Sequence, residues 1–416
     1  MESFNRIHRY DNGLVLLFEK MDWTEAFAVR LCLNGGSVFD LPGEFGLASL
    51  TCEMTNRGAG EYDNRAFLAE QENIGIELSE SAGRKTSSFS AHGLVDFWSR
   101  SLELLALQIL RPRFDEQLFD ECRMTQLQAL ASRLDHPSYR TAQALASILF
   151  PDPWGRTPLG VHDDILNLSI EDVRRFHADH YSSDSAVIAV AGRLDWDRVK
   201  DKVGELFADW GSRPSTPPSA VESEKSSVHL EQDSAQTQIR LGYRDGVPSS
   251  PEYRIAEAGL LILGDGMSSR LFTEVREKRG LCYSVSASDV SRGHFGAFAC
   301  GCATRTNRAQ EALDVIIREL DRLSTEPISE SELYRYKIKM KSHIVMQRES
   351  ARARVRSMIG NWKRYKKIRT LEESLAICNG MTCEKIQEYF AERGKRRFKL
   401  ATCGQAPLEI DPERLQ

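Results

Sequence analysis

The stretch Gly211–Ser227, GSRPSTPPSAVESEKSS, constrains the fold of this chain more than any other. It is rich in Pro and Ser, nearly free of large apolar residues, and close to the middle of 416 residues. A segment of that composition has little to bury and reads as a linker. It sets a first domain at 1–212, a linker at 213–228 and a second domain at 229–416. The length is too great for one ordinary core, and 41% hydrophobic with 28% charged residues is the composition of a globular protein.

The two halves show a similar order of elements. The first opens with strand-like runs at Leu14–Phe18 and Phe27–Leu33, then a turn at Asn34-Gly35-Gly36 and an amphipathic helix from Phe45 to Thr55. A helix at Asn64–Asn73 follows, then alternating segments at Ile76–Ser81 and Thr86–His92 and helical patterns at Val95–Leu110 and Asp115–Leu134. A strand at Ala186–Ala191 and a helix at Asp195–Trp210 close that half. The second half has strands at Val228–Leu230 and Gln238–Tyr243, a helix at Glu252–Leu263, a strand at Gly296–Cys302, helices at Asn307–Ser324 and Glu330–Gln347, and a strand at Phe398–Cys403. Two diverged copies of one α+β unit is the economical reading.

Charge and cysteine usage narrow the setting. A net charge of -5 is small for this length and advertises neither nucleic acid nor an anionic membrane. No apolar run reaches the length of a membrane span, and the N-terminus, with Glu2 and only a short apolar run at Gly13–Phe18, is not a secretory signal. Nine cysteines without a CxxC pair suggest neither a disulfide framework nor a zinc knuckle, so a reducing cytoplasmic setting is expected, a periplasmic one if a signal had been removed.

The segment Gly266–Val285, GMSSRLFTEVREKRGLCYSV, combines a helix, a stop and a strand. Ser268 or Ser269 caps a helix with the stripe Leu271, Phe272 and Val275; Gly280 ends it, and Leu281, Tyr283, Val285 and Ala287 then alternate. Arg276 and Tyr283 flank that corner. A guanidinium and a phenol are hydrogen-bond donors, suited to gripping a peptide carbonyl or a developing oxyanion. The plain alternative is a surface arginine and a half-buried strand tyrosine.

With these residues in view, the chain resembles the pitrilysin/insulinase-type peptidase family, particularly its two-domain members related to mitochondrial processing peptidase. The resemblance rests on NGGSVFDLPGEFGLASL, FDEQLFDECRMTQLQAL, RTPLG, DVRRFHADHYSSDSAVIAVAGRLD and GMSSRLFTEVREKRGLCYSV, and spans nearly the whole length. It implies two similar α+β halves, each a mostly antiparallel sheet packed with helices, enclosing a chamber for an unfolded peptide. It also implies a zinc site of the inverted type H-x-x-E-H on a helix, completed by a distant glutamate. The spacing puts two ligands and the general base on one helix face.

In this chain the corresponding helix reads Gly46-Leu47-Ala48-Ser49-Leu50-Thr51-Cys52-Glu53-Met54, so the ligand, base and ligand positions hold Ser49, Cys52 and Glu53. The third ligand falls at Gln128, seven residues after Glu121. None of the four keeps the required residue, and a different metal site from Cys52, Glu53 and Gln128 is a thin set without histidine. The resemblance therefore implies no intrinsic catalytic residue and no metal in this chain. Some two-domain members of the family work as unlike pairs, one subunit holding zinc and the other bringing an arginine and a tyrosine. Arg276 and Tyr283 match those substrate-binding positions, which implies a heterodimer with a zinc-bearing homologue acting on unfolded peptide. The alternative is a structural scaffold or peptide-binding protein of the same fold.

Other candidates have plainer readings. His177 and His180 lie three apart on a helix, a spacing that serves a metal but more often packing. Cys300 and Cys302 share a strand face, as a thiol pair or as small core residues. Gly264-Asp265-Gly266 resembles a phosphate loop, but no Lys-Ser/Thr follows. Tyr334–Arg369 holds thirteen Lys or Arg, with Lys337, Lys341, Arg348, Arg352 and Arg356 on one expected helix face, as a nucleic-acid patch or, more plainly, a solvated or peptide-lining face. Glu77–Phe89 corresponds to the family strand that pairs with extended substrate through its backbone.

Overall fold

The chain folds around two sheets, of six and five strands, that share a five-strand order. The computed structural model describes residues 5–415. The strands of the first sheet are β1 (Asn5–Arg9), β2 (Val15–Lys20), β3 (Ala26–Asn34), β4 (Glu77–Ala82), β5 (Thr86–Leu94) and β6 (Val187–Gly192). The second has β7 (Ser227–Glu231), β8 (Gln236–Arg244), β9 (Cys282–Asp289), β10 (Ala297–Arg305) and β11 (Lys399–Gly404). The helices of the first half are α1 (Leu47–Met54), α2 (Asn64–Asn73), α3 (Trp98–Leu110), α4 (Glu116–Leu134), α5 (Pro137–Leu149), α6 (His162–Asn167), α7 (Ile170–His180) and α8 (Trp196–Phe207). Those of the second half are α9 (Pro251–Gly264), α10 (Ala309–Thr325), α11 (Glu330–Met346), α12 (Ala351–Tyr365), α13 (Leu371–Asn379) and α14 (Cys383–Arg393).

The sheets run in the order β1-β2-β6-β3-β5-β4 and β7-β11-β8-β10-β9. In each, one parallel pair, β2 with β6 or β7 with β11, is followed by antiparallel neighbours out to an edge strand, β4 or β9. Five strands thus match in order, direction and chain sequence, with β1 the addition in the first sheet. This is the α+β fold of two similar halves.

Each sheet needs cover on both faces, because its central strands are apolar on both. All six residues of β6, VIAVAG, are buried, the pattern of a strand with no solvent side. On one face of the first sheet Phe18 meets Trp196 of α8. On the other, Val15, Leu17, Ala28, Val187 and Ala189 form a core with Val355, Met358, Ile359 and Trp362 of α12. The second sheet packs α9, α10 and α14 on one face. Its other face takes α5, whose Leu145 and Leu149 lie against Gly242 of β8.

The compact units are accordingly discontinuous. One comprises residues up to Ala131, Thr157–Ser219 and Ile344–Leu371; the other comprises Ser132–Arg156, Ala220–His343 and residues from Glu372 onward. This departs from the continuous split at 213–228: each half lends one helix, α5 or α12, to the bare face of the other half's sheet. In the first unit the lent helix is fixed by charge as well as packing. Glu19 of β2 is wholly buried and accepts from Arg354, with Nε at 3.0 Å, and from Arg348 at 3.4 Å.

The expected basic helix face does not form. Lys337 and Lys341 are on α11, whereas Arg352 and Arg356 are on α12, with a turn at 347–349 between the helices. Arg354 and Trp362 of the same run are buried.

Candidate functional site

Helix α1 starts under tight control. Asp40, itself buried, accepts from the amides of Gly46 and Ala48 at 2.9 Å each, capping the helix. Gly46 sits at φ +111°, and a Cβ there would meet the Gln126 side-chain nitrogen at 2.8 Å and the Leu159 carbonyl at 3.1 Å, so only glycine fits. Gln126 of α4 donates to the carbonyls of Gly46 and Leu159, tying α4 to this corner. Leu47, Leu50 and Met54 are buried, so the segment keeps its packing role.

The other face of α1 carries Ser49, Cys52 and Glu53, the positions matched to the family's zinc motif and expected to hold no metal. Ser49 donates its hydroxyl to the Pro158 carbonyl at 2.6 Å. Cys52 is fully buried, and burial, with the charge of Glu80 beside it, pushes its thiol well above the usual range. Glu53 accepts from Arg57 at 2.8 Å, and Arg57 also hydrogen-bonds the thiol of Cys122 on α4. Burial and the charge of Glu53 push Cys122 up to about 11. A guanidinium therefore lies among groups that would have to face a cation.

Gln128 takes no part. It is exposed, whereas Cys122, Gln126, Leu127 and Leu130 form the buried side of α4. The residue of α4 that reaches Glu53 and Arg57 is Cys122. Helical periodicity carried the signal, since residue 128 lies about 200° around the helix from residue 126.

Glu80, on the edge strand β4, completes the cluster, and no sequence pattern marks it. Its carboxylate accepts from Gln108 of α3 at 3.2 Å. Burial, aided by repulsion from Glu53, pushes its pKa up to about 7 against the opposing Gln108 bond. The side-chain oxygen of Gln108 is buried without a partner, and a protonated Glu80 is the natural donor for it.

In the other unit, Arg276 and Tyr283 are brought together. Arg276 lies on a π-helical turn, Phe272–Glu277, in which Lys278 N reaches back to Thr273 O. Its guanidinium stacks over Phe272 at 4.6 Å and Tyr283 at 4.9 Å, with Nε 3.6 Å from Glu277. The turn is braced by Glu274, which accepts from Lys278 at 2.6 Å and Arg279 at 2.7 Å.

Tyr283 does not alternate into the core as expected. It is 84% exposed, while Leu281, Val285 and Ala287 are buried. The cause is a register shift opposite, between Cys302 and Thr304 of β10, which turns Cys282 inward in its place. Cys302 donates its S–H to Cys282; that bond and the charge of Arg276 hold Cys282 below the usual thiol range, although burial opposes them. Cys300 and Cys302 share the inward face, but the thiol pair is Cys282 with Cys302.

The remaining candidates pack. His177 meets the Ile109 carbonyl at 2.8 Å, and His180 meets the Ser215 hydroxyl at 3.2 Å and stacks on Phe39 and Phe176. Among the described residues no group of three or more His, Cys, Asp or Glu is placed to hold a metal.

Two family models match the chain, one described as insulinase (peptidase family M16) over residues 15–157, the other as the peptidase M16 inactive domain over residues 167–340. The chain belongs to the insulinase (M16) peptidase family. Among the proteins similar to it is one of Rickettsia felis described as an uncharacterized zinc protease, 26% identical and matching 92% of this chain and 93% of its own length. A Bacillus subtilis protein of the same description is 24% identical over 91% of this chain and 94% of its own. Among solved structures, a peptidase M16 inactive domain from Pseudomonas fluorescens superposes with a TM-score of 0.87 at 22% identity, covering 98% of this chain and 99% of that one. A protease from Helicobacter pylori gives 0.87 at 18% identity, covering 97% and 100%. Those likenesses give the M16 fold over the whole length. At the α1 positions the Ser49 hydroxyl is bonded to a carbonyl, the Cys52 thiol is buried and protonated, and the Glu53 carboxylate is held by Arg57.

Proposed function

We propose that this chain is a non-catalytic subunit of an M16 peptidase that works with a zinc-bearing homologue and offers Arg276 and Tyr283 to the substrate in trans. The observation that carries the reading is the contrast between two segments of the chain. On α1 the chemical positions are closed off by Pro158 and Arg57, whereas Tyr283 stands free in solvent with Arg276 against its ring. A phenol and a guanidinium on one face grip a peptide carbonyl as preorganised donors, and such donors stabilise the oxyanion formed when a partner's nucleophile attacks. The stacking fixes the guanidinium before substrate arrives, which reduces the ordering cost of binding. The edge strand β4 supports the same role, since a free strand edge pairs with extended peptide through its backbone.

The experiment mixes the pure chain with a zinc-bearing M16 homologue from the same organism and follows hydrolysis of an unfolded peptide. The chain alone is expected to hydrolyse nothing. In the mixture Arg276→Ala and Tyr283→Phe are each expected to lower kcat/KM by about 100-fold. Unchanged turnover in both variants would remove the donor role. Stoichiometric zinc and hydrolysis in the pure chain would overturn the non-catalytic reading, and peptide binding without any productive partner would favour a scaffold.

A further inference from the structure

The Gly264-Asp265-Gly266 segment is not a phosphate loop, but it forms one wall of an open cleft between the end of α9 and α11. Both glycines have structural reasons. A Cβ on Gly264 would lie 2.3 Å from the Ala287 amide nitrogen, so glycine lets α9 press against β9, and Gly266 turns the chain at φ +104°.

The floor of the cleft is apolar, made by Leu261, Ile262 and Met340. Its charges are nearly all spoken for. Asp265 is bonded by Lys339 at 2.7 Å, and Glu332 is held by Arg270 at 2.7 and 3.1 Å. Arg335, by contrast, lines the cleft and has no ion pair among the described residues. Beside it Tyr336 is half-buried, and burial keeps its hydroxyl protonated.

One uncompensated guanidinium above an apolar floor suits one negative charge on an apolar body. A phosphate dianion fits poorly, because it would bring two charges beside the carboxylates of Asp265 and Glu332. A neutral apolar ligand would leave Arg335 unused.

We propose that this cleft binds a monocarboxylate carried on a short apolar chain, with the carboxylate on Arg335 and the chain on Leu261, Ile262 and Met340. The free C-terminus of a peptide ending in an apolar residue is one source of that chemistry, an expectation that rests on the peptide-handling reading above; a medium-chain fatty acid is another. Tyr336 supplies a second donor at the carboxylate.

The test uses the pure full-length chain labelled with 13C at its methionine methyls, with the Met340 signal assigned by Met340→Leu. The probes are acetyl-Ala-Leu-Leu, its C-terminal amide, octanoate and inorganic phosphate. The acid or octanoate is expected to shift the Met340 methyl saturably, and the two arms tell the peptide source from the lipid source. The amide is expected to bind at least tenfold more weakly than the acid, and Arg335→Gln to weaken the acid by a similar factor. Arg335 is exposed and unpaired, so that variant is expected to keep the wild-type melting curve. Equal binding of acid and amide, equal binding by Arg335→Gln, displacement by phosphate at the same concentration, or no saturable shift with either carboxylate would each overturn the proposal. Neither partner nor hydrolysis enters this measurement, so its failure leaves the roles of Arg276 and Tyr283 untouched, and their failure leaves the cleft untouched.

Discussion

Replacing Glu80 by Gln is expected to stabilise the first unit at alkaline pH and to do little at acid pH. Burial raises the Glu80 pKa from the ordinary 4.5 to about 7 in the folded chain. The folded state therefore holds its proton more tightly than the unfolded state does. The favourable contribution is fully present below about pH 4.5 and is lost as pH rises through about 7, where the buried carboxylate ionises. At 1.36 kcal/mol per pH unit the gap corresponds to about 3 kcal/mol. Gln keeps an oxygen for the Gln108 nitrogen now 3.2 Å away, offers an N–H to the unpartnered Gln108 oxygen, and never ionises. The assay is urea unfolding followed by tryptophan fluorescence. Five of the six tryptophans, at 23, 98, 196, 210 and 362, belong to the first unit, so the signal reports on it. The advantage of Glu80→Gln over wild type is expected to grow by about 2.5 kcal/mol between pH 5 and pH 8.5. If the difference between the two proteins is the same at both pH values, Glu80 does not titrate near neutrality and the reasoning fails.

Three further outcomes follow from the geometry. Glu19→Gln leaves Arg354 buried without its counter-charge and is expected to cost roughly 3–5 kcal/mol in the same unfolding assay; a loss under about 1 kcal/mol would show that the pair does not hold α12. Cys282 is the one cysteine of nine that is not buried and the one whose thiol is held low, so iodoacetamide at pH 7.5 should label it first by peptide mass spectrometry, and earlier labelling at any other site would refute this. Finally, a chain carrying Ser49→His, Cys52→Glu, Glu53→His and Arg57→Ala is expected to bind zinc at least tenfold more tightly with Cys122→Glu added than with Gln128→Glu added, measured by competition with a chromophoric chelator. Equal affinities would mean that Cys122 does not face the α1 positions.

Much of the architecture was legible because periodicity reports burial. The strands β2 to β6 and β8 to β11 and most helices fell close to the runs that alternation and apolar spacing mark out. The exchange of α5 and α12 was not legible as a pairing, because apolar spacing shows that a helix has a buried face but not which sheet receives it. A hint was present in VIAVAG at Val187–Gly192, whose apolar run asks for cover on both faces. At the site, residue identity shows that Ser49, Cys52 and Glu53 depart from the H-x-x-E-H pattern, but not the contacts they make with Pro158, Glu80 and Arg57. A fixed spacing from Glu121 points to Gln128, whereas the helical period of α4 puts Cys122, and not Gln128, on its buried side. The exposure of Tyr283 depends on an irregular register with β10, which is a property of two strands together and leaves no trace in either one. Glu80 gave no sign because its environment is assembled from β4, α1 and α3, segments far apart in the chain.

The lending of α12 to the first sheet sets an order of events during synthesis. The first sheet's strands have all been made once Gly192 is reached, yet the helix that covers their Val15, Leu17, Val187 and Ala189 face begins only at Ala351. Until some 160 further residues have emerged, that face has no cover from its own half and Glu19 has no arginine. The protein therefore cannot complete one half before starting the next, as a chain of independent domains does. Cleavage at the linker would not release two autonomous pieces either: each fragment would carry away a helix that the other needs to finish its core.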